Sequence, residues 1–236
     1  MGLFKNKKKE HTTFNLNVRF SSAVKSATRS QAETTMKKWI KDAERCYKDQ
    51  PSLKIHPEWK WNVKGVSNNL SFSSGRELRK FMDTRFDNIV GKAKTDGCLQ
   101  VLVVDSAKTT KDNQSFNGHA FFPHCVVPFG RKHGIIMDIG ALKSTFSHEL
   151  GHMLSLKHTF EHYVGLKKNC NRGYPKGESG KGGTRSGKRI NVMDYKRKNS
   201  DATFLNDCQK ERAAKQRRMY LTKNGETNYR KLKGLR

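Results

Sequence analysis

The chain has 236 residues, a length that suits one substantial domain with appendages. It carries 48 Lys and Arg against 21 Asp and Glu, a formal net charge of +27. This charge favours nonspecific contact with polyanions, although a solvated surface is the simpler interpretation, and no nucleic-acid-binding motif is present. No apolar run reaches the roughly 18 residues of a transmembrane helix, and the basic start at 1–11 lacks the apolar core of a signal peptide.

A strand and a helix are predicted to follow the basic start. Apolar residues alternate with polar ones from Phe14 to Phe20, which is typical of a half-buried strand. Ser30 and Glu33 then have the spacing of a capping box, which marks the beginning of a helix. The predicted helix should end near Lys48, and its apolar residues recur at helical spacing: Ala32, Met36, Trp39, Ile40, Ala43 and Tyr47.

A second strand and helix come before the centre of the chain. Residues 53–66 are typical of a strand, and Ser74 with Glu77 forms another capping box ahead of a helix that should reach about residue 93. Three more strands are then predicted, the first of them buried because its apolar run is unbroken: 98–104, 118–122 and 134–138.

The segment HELGHMLSLKH is the most informative part of the chain. His148 and His152 are four residues apart, so on a helix both lie on one face and can hold one metal ion. If the helix ends near Ser155 and the chain turns, His158 can reach the same ion. Three imidazoles on zinc leave a fourth position open to water, and Glu149 can accept a proton from that water.

A helix whose histidines face solvent or sit in a core is the alternative interpretation of this segment. Leu150 and Met153 belong to an apolar face that suits a buried helix, while the face with the histidines is polar. Ser144 is the candidate N-cap of this helix. The third histidine and the apolar face together favour a zinc hydrolase over structural histidines.

A second motif, NVMDY at 191–195, follows about forty residues later. The extended zinc motif followed by NVMDY resembles the metzincin metallopeptidases. That resemblance implies that Met193 forms a floor beneath the three histidines. It also implies that Tyr195 either ligates the zinc in the resting enzyme or hydrogen-bonds the tetrahedral intermediate as an oxyanion donor.

Among the metzincins, the chain is most similar to the pappalysin family, over about 118–212. The extension of the zinc motif by Thr159 and Phe160 carries much of this likeness, as do Gln209 and Arg212 after the second motif. Two departures stand out. Ser155 replaces the glycine that metzincins usually have at the turn, and the segment from His162 to Ile190 holds a single acid, so that calcium is unexpected.

The resemblance implies an α+β fold of the metzincin-like zincin type. A twisted five-stranded mixed sheet would pack on two helices and an active-site helix, followed by a small irregular C-terminal sub-domain. Residues 118–122 would form the antiparallel edge strand above the cleft, with which an extended peptide can pair. The expected divisions are a basic arm (1–11), a catalytic domain (12–220) with upper (12–157) and lower (158–220) sub-domains, and a basic tail (221–236).

The sequence therefore predicts a zinc-dependent endopeptidase with one catalytic Zn²⁺, a protein or peptide substrate, and a monomeric state. Resemblance favours a secreted or exported protein, and a delivered effector or toxin protease is a variant of the same prediction. The alternative is a basic protein that binds polyanions or nucleic acid and whose zinc site is structural or degenerate. Of five cysteines, Cys170 and Cys208 could form a bridge in an oxidising compartment.

Overall fold

The structure, a computed structural model, combines a mixed sheet with a few helices, as predicted. The residues it describes are 12–21, 29–47, 53–63, 69–84, 98–109, 114–115, 118–120, 134–154, 156–158, 185–186, 189–194, 203–217, 222–223 and 226–227.

The largest sheet has five strands and determines where the other elements lie. Its order is β2 (Leu53–Val63), β1 (Thr12–Ser21), β4 (Cys98–Val104), β8 (Gly134–Asp138) and β7 (Gly118–Ala120). The first four strands are parallel to one another. The fifth, β7, pairs antiparallel with β8 at the edge of the sheet. The predicted antiparallel edge strand is therefore present at 118–120.

The other described strands are short and form three small sheets. Four helices are described: α1 (Arg29–Cys46), α2 (Gly75–Thr84), α3 (Lys143–Met153) and α4 (Asp207–Arg217). In these parts of the chain, no helix has both the length and the apolar character needed to cross a membrane. The small sheets contain β3 (Asn69–Phe72), β5 (Ser106–Thr109) and β6 (Gln114–Ser115); β9 (Arg185–Ser186), β10 (Arg189–Asn191) and β11 (Thr203–Phe204); and β12 (Thr222–Lys223) with β13 (Glu226–Thr227).

Two apolar clusters fill the two sides of the main sheet. The larger cluster joins the sheet to α1 and α3, and it includes the whole apolar stripe predicted for α1. The smaller cluster contains residues of β4 and β8 that project from the opposite face, together with residues of β3, α2 and β5. The predicted burial of β4 is confirmed, because each residue from Leu99 to Val104 is buried.

The two predicted capping boxes have different outcomes. At the start of α2, the Glu77 backbone N–H donates to Ser74 Oγ over 3.4 Å, and the Glu77 carboxylate accepts from the Ser73 N–H. Hydrogen bonding from Ser73 to the carboxylate favours its charged form and lowers the pKa of Glu77. The capping box predicted for α1 is wrong, because the helix begins at Arg29, before Ser30.

Ser144 was also predicted to cap α3, and that prediction is wrong. Leu142 occupies the N-cap position without a side-chain cap, and Ser144 is buried inside the helix. The chain enters the helix through a turn in which Asp138 Oδ1 accepts from the Gly140 N–H over 2.7 Å. Partial burial raises the pKa of Asp138 despite this bond.

Two side chains of α1, together with Tyr47 directly after it, hold α3 and the turn before it in place. Trp39 Nε1 donates to the Ala141 carbonyl over 3.3 Å, and the Tyr47 hydroxyl donates to the Ser147 carbonyl over 3.0 Å. Ser147 Oγ in turn donates to Asp42 Oδ2 over 2.6 Å. Because hydrogen bonds to buried charged groups are short and strong, this contact fixes α3 against α1 immediately before its first histidine.

The buried carboxylate of Asp42 has partners on its own helix as well. Arg45 Nη2 lies 2.7 Å from Asp42 Oδ1, and the Cys46 thiol lies 3.9 Å from Oδ2. Asp42 is only 6% exposed, so the paired arginine offsets much of the cost of burying its charge.

The cysteines differ in their chemical state. Cys46 is a free, buried thiol, whereas Cys208 in α4 is disulfide-bonded. Its predicted partner, Cys170, lies outside the described residues, so that pairing stays a prediction.

Candidate metal centre

Three histidine side chains meet at the end of α3. His152 Nε2 lies 3.1 Å from His148 Nε2 and 3.1 Å from His158 Nε2. All three ligand atoms lie within 4.8 Å of one another, and the three residues are buried. The motif spacing predicted this convergence, and among the described residues it is the group of side chains that could hold a metal ion.

The chain turns sharply after α3 and brings His158 back to the helical histidines. The Leu156 N–H donates to the Gly151 carbonyl over 2.9 Å, and the Leu156 carbonyl lies 2.8 Å from His152 Nδ1. The backbone N–H and C=O of Leu156 are therefore both hydrogen-bonded to residues at the end of the helix. Ser155, the residue noted above as a replacement of glycine, lies outside the described residues.

Backbone carbonyls fix the tautomers of the two helical histidines. His148 Nδ1 lies 2.7 Å from the Val192 carbonyl, and His152 Nδ1 lies 2.8 Å from the Leu156 carbonyl. A carbonyl oxygen can only accept a hydrogen bond, so each Nδ1 must carry the hydrogen. In the neutral rings, both Nε2 atoms then present lone pairs to each other.

Lone pairs on two neutral imidazoles repel each other at 3.1 Å unless a cation lies between them. Zinc binds imidazole nitrogen at about 2.0–2.1 Å, so two ligands at a tetrahedral angle would lie roughly 3.3 Å apart. The observed separations are close to that value. The three histidines can therefore hold a metal ion, and their number leaves a position open for a further ligand.

Met193 lies directly against α3. A Cβ atom built on Gly151 would lie 2.3 Å from Met193 Sδ and 3.2 Å from Met193 Cε. The thioether therefore occupies the space beside the helix backbone, next to His152, and the methionine is completely buried. Glycine at position 151 is what allows this close approach.

Glu149 is buried between α3 and the edge strand β7. A Cβ atom built on Gly118 would lie 3.0 Å from Glu149 Cγ, 2.8 Å from Thr145 Cγ2 and 2.9 Å from Met137 Sδ. The backbone of β7 thus forms a wall against the stem of the glutamate. Because β7 is also the edge strand, a peptide paired with it would run beside this carboxylate.

Several contributors to the site were not predicted from the motifs. They are the two close-packed glycines Gly118 and Gly151, and the carbonyl of Val192 that orients His148. Gly151 did carry a signal, because glycine inside a helix is less favourable than alanine by about 1 kcal/mol and thus suggests a packing constraint. Tyr195 lies outside the described residues, so its role stays a prediction.

Comparisons with known proteins add little to this geometry. No protein-family model matches the chain, and no curated protein matches it. Among solved structures, it is similar to metalloproteinase-II from Bacteroides fragilis, with 14% identity and a TM-score of 0.40. The match covers 66% of this chain and 46% of that one, so the chain spans less than half the length of its structural neighbour. A similarity at this level carries no weight for function, which is inferred from the three histidines and their surroundings.

Proposed function

We propose that the chain is a zinc-dependent endopeptidase with His148, His152 and His158 as ligands of one zinc ion. The observation that carries the proposal is the convergence of the three Nε2 atoms, with the Nδ1 atoms of His148 and His152 held by carbonyls. Imidazole nitrogens in this number and arrangement suit catalytic zinc better than calcium or magnesium, which prefer oxygen ligands.

Each part of the site has a role in peptide hydrolysis. Zinc bound there would polarise the scissile carbonyl and increase the acidity of the attacking water. Glu149 accepts the proton of that water and later delivers it to the leaving amine. The edge strand β7 holds the substrate backbone by main-chain hydrogen bonds, and Tyr195 stabilises the oxyanion.

Within this class, we place the chain among the metzincins, nearest to the pappalysins. The contact of Met193 with α3 at Gly151 supports this placement, because the resemblance implies a methionine floor at that point. The extended motif with Thr159 and Phe160 supports it at the level of sequence.

Metal analysis and peptide digestion together test the proposal. Protein purified without added metal should contain one zinc per chain by mass spectrometry. It should cleave a proteome-derived peptide library, lose that activity with a chelator, and recover it when one equivalent of zinc is restored. Protein without zinc, or cleavage that survives complete removal of the metal, would contradict the proposal.

A different result would favour the polyanion-binding alternative. The solvent side of α1 exposes five basic residues that could contact such a partner: Arg29, Lys37, Lys38, Lys41 and Arg45. Zinc at one equivalent without any cleavage, together with salt-sensitive binding to heparin or nucleic acid, would support a structural zinc site.

Substituting Gly118 by Ala should reduce turnover without removing the metal. The added methyl group meets Glu149 Cγ at 3.0 Å and Thr145 Cγ2 at 2.8 Å, so the glutamate stem must shift. Because small displacements of reacting groups are costly, we expect kcat to fall about 10- to 100-fold. Steady-state kinetics with zinc analysis measures this. An unchanged kcat would show that the carboxylate tolerates the displacement, and loss of zinc would show a wider distortion.

A further inference from the structure

Two buried amide side chains face each other behind the metal centre. Asn191 Nδ2 donates to Gln209 Oε1 over 2.8 Å, and Gln209 Nε2 donates to Asn191 Oδ1 over 3.3 Å. Asn191 is 2% exposed and Gln209 is completely buried. The pair links the end of β10 to the first turn of α4, which lie 18 residues apart in sequence.

Gln209 is held in place from the α4 side. Its backbone N–H donates to Asn206 Oδ1 over 2.8 Å, and its side-chain Oε1 accepts from the Asn206 N–H over 3.1 Å. This reciprocal arrangement is a capping box at the start of α4. Gln209 Oε1 thus accepts two hydrogen bonds, so the orientation of its amide is determined.

Asn191 connects Gln209 to the turn that contains Met193. Asn191 Oδ1 accepts from the Met193 N–H over 3.0 Å, and the Asn191 carbonyl accepts from the Asp194 N–H over 3.0 Å. Between them, the Val192 carbonyl lies 2.7 Å from His148 Nδ1. The residue that orients His148 is therefore enclosed by a turn that the amide pair supports.

We propose that Asn191 and Gln209 are positioning residues for the metal centre, which they influence through the Val192 carbonyl and Met193. The pair holds the turn so that this carbonyl accepts from His148 Nδ1 and leaves Nε2 available for the metal. This inference rests on the proposed function only in requiring that the histidines bind zinc. Partners of this kind typically change metal affinity by about 10- to 100-fold when removed.

The Gln209→Met substitution tests the inference, since it keeps the length of the side chain and removes both hydrogen bonds to Asn191. It also removes the bond that Gln209 Oε1 accepts from the Asn206 N–H. We expect the zinc affinity of the full-length chain, measured by competition with a chromophoric chelator, to fall about 10- to 100-fold. The visible spectrum of the cobalt-substituted protein should change as well, because it reports the geometry of the ligands. Gln209→Glu, which loses the amide donor but keeps an acceptor, serves as a second variant if Gln209→Met does not fold.

Asn206→Ala is the matched control. It removes the side-chain cap of α4 and leaves both amides of the pair in place. We expect its zinc affinity and cobalt spectrum to match those of the wild type. Equal losses of zinc affinity in Asn206→Ala and Gln209→Met would show that α4 stability alone matters, and would overturn the inference.

The outcomes separate this inference from the proposed function. If the wild type binds zinc and the Gln209 variants bind it equally well with unchanged cobalt spectra, the positioning role is wrong while the proposed function stands. If the wild type binds no zinc, both are wrong. Neither conclusion depends on a measurement of peptide cleavage.

Discussion

The substitution Glu149→Gln should abolish peptide cleavage while the protein retains one zinc per chain. Glutamine has nearly the shape of glutamate, so the packing of this buried residue against β7 should persist. It cannot accept a proton from water at neutral pH, and proton transfer of this kind contributes about 10²- to 10⁴-fold to turnover. Paired measurements of kcat and zinc content check the prediction.

Two further variants show whether the effect is local. The substitution Glu44→Gln makes the same chemical change at a half-exposed glutamate of α1, and it should leave turnover unchanged. The substitution His158→Ala should also stop cleavage, but through loss of the metal. Cleavage by the Glu149→Gln variant at near wild-type rate, after contaminating proteases are excluded, would show that Glu149 is not the general base.

Substituting Gly151 by Ala should destabilise the protein and weaken zinc binding. The new methyl group would lie 2.3 Å from Met193 Sδ and 2.9 Å from the Tyr47 hydroxyl oxygen. Overpacking of a core costs about 1–3 kcal/mol, which exceeds the gain of up to about 1 kcal/mol from better helix propensity. Denaturation of the zinc-free protein measures the packing effect without the stabilisation that a bound metal adds.

The double variant Gly151→Ala with Met193→Ala is the matched control. Removing the thioether leaves room for the methyl group, so the destabilisation of the double variant should be smaller than the sum of the two single effects. If Gly151→Ala alone is as stable as the wild type, Met193 can move aside without cost. Its proposed role as a fixed floor would then be wrong.

Local features of the fold were predictable because each depends on neighbouring residues in the sequence. The apolar stripe of α1, the unbroken run of β4 and the Ser74–Glu77 capping box all have a short-range cause. The metal centre was predictable for a related reason. His148 and His152 share a helical face by spacing alone, and His158 required only that the helix end near Ser155 and the chain turn back.

What the sequence did not reveal depends on contacts between distant residues. Asp42 reads as a polar residue of an exposed helix face, yet it is buried against Ser147, 105 residues away. Ser144 has the chemistry of an N-cap but is buried, because α3 enters the core at once after the turn at Asp138. Strands of two or three residues, such as β10 and β11, are too short for any periodic pattern to predict.

The Cys46 thiol gives the interface between α1 and α3 a built-in chemical reporter. It lies beside Asp42, the carboxylate that holds Ser147, and is only 7% exposed, so reaction with a thiol reagent requires local opening of the structure around it. The rate at which this cysteine is alkylated in the native protein therefore reports local opening around Asp42, the residue that hydrogen-bonds Ser147 of α3. Peptide mass mapping can follow the alkylation of this one residue, without a substrate and without an engineered label.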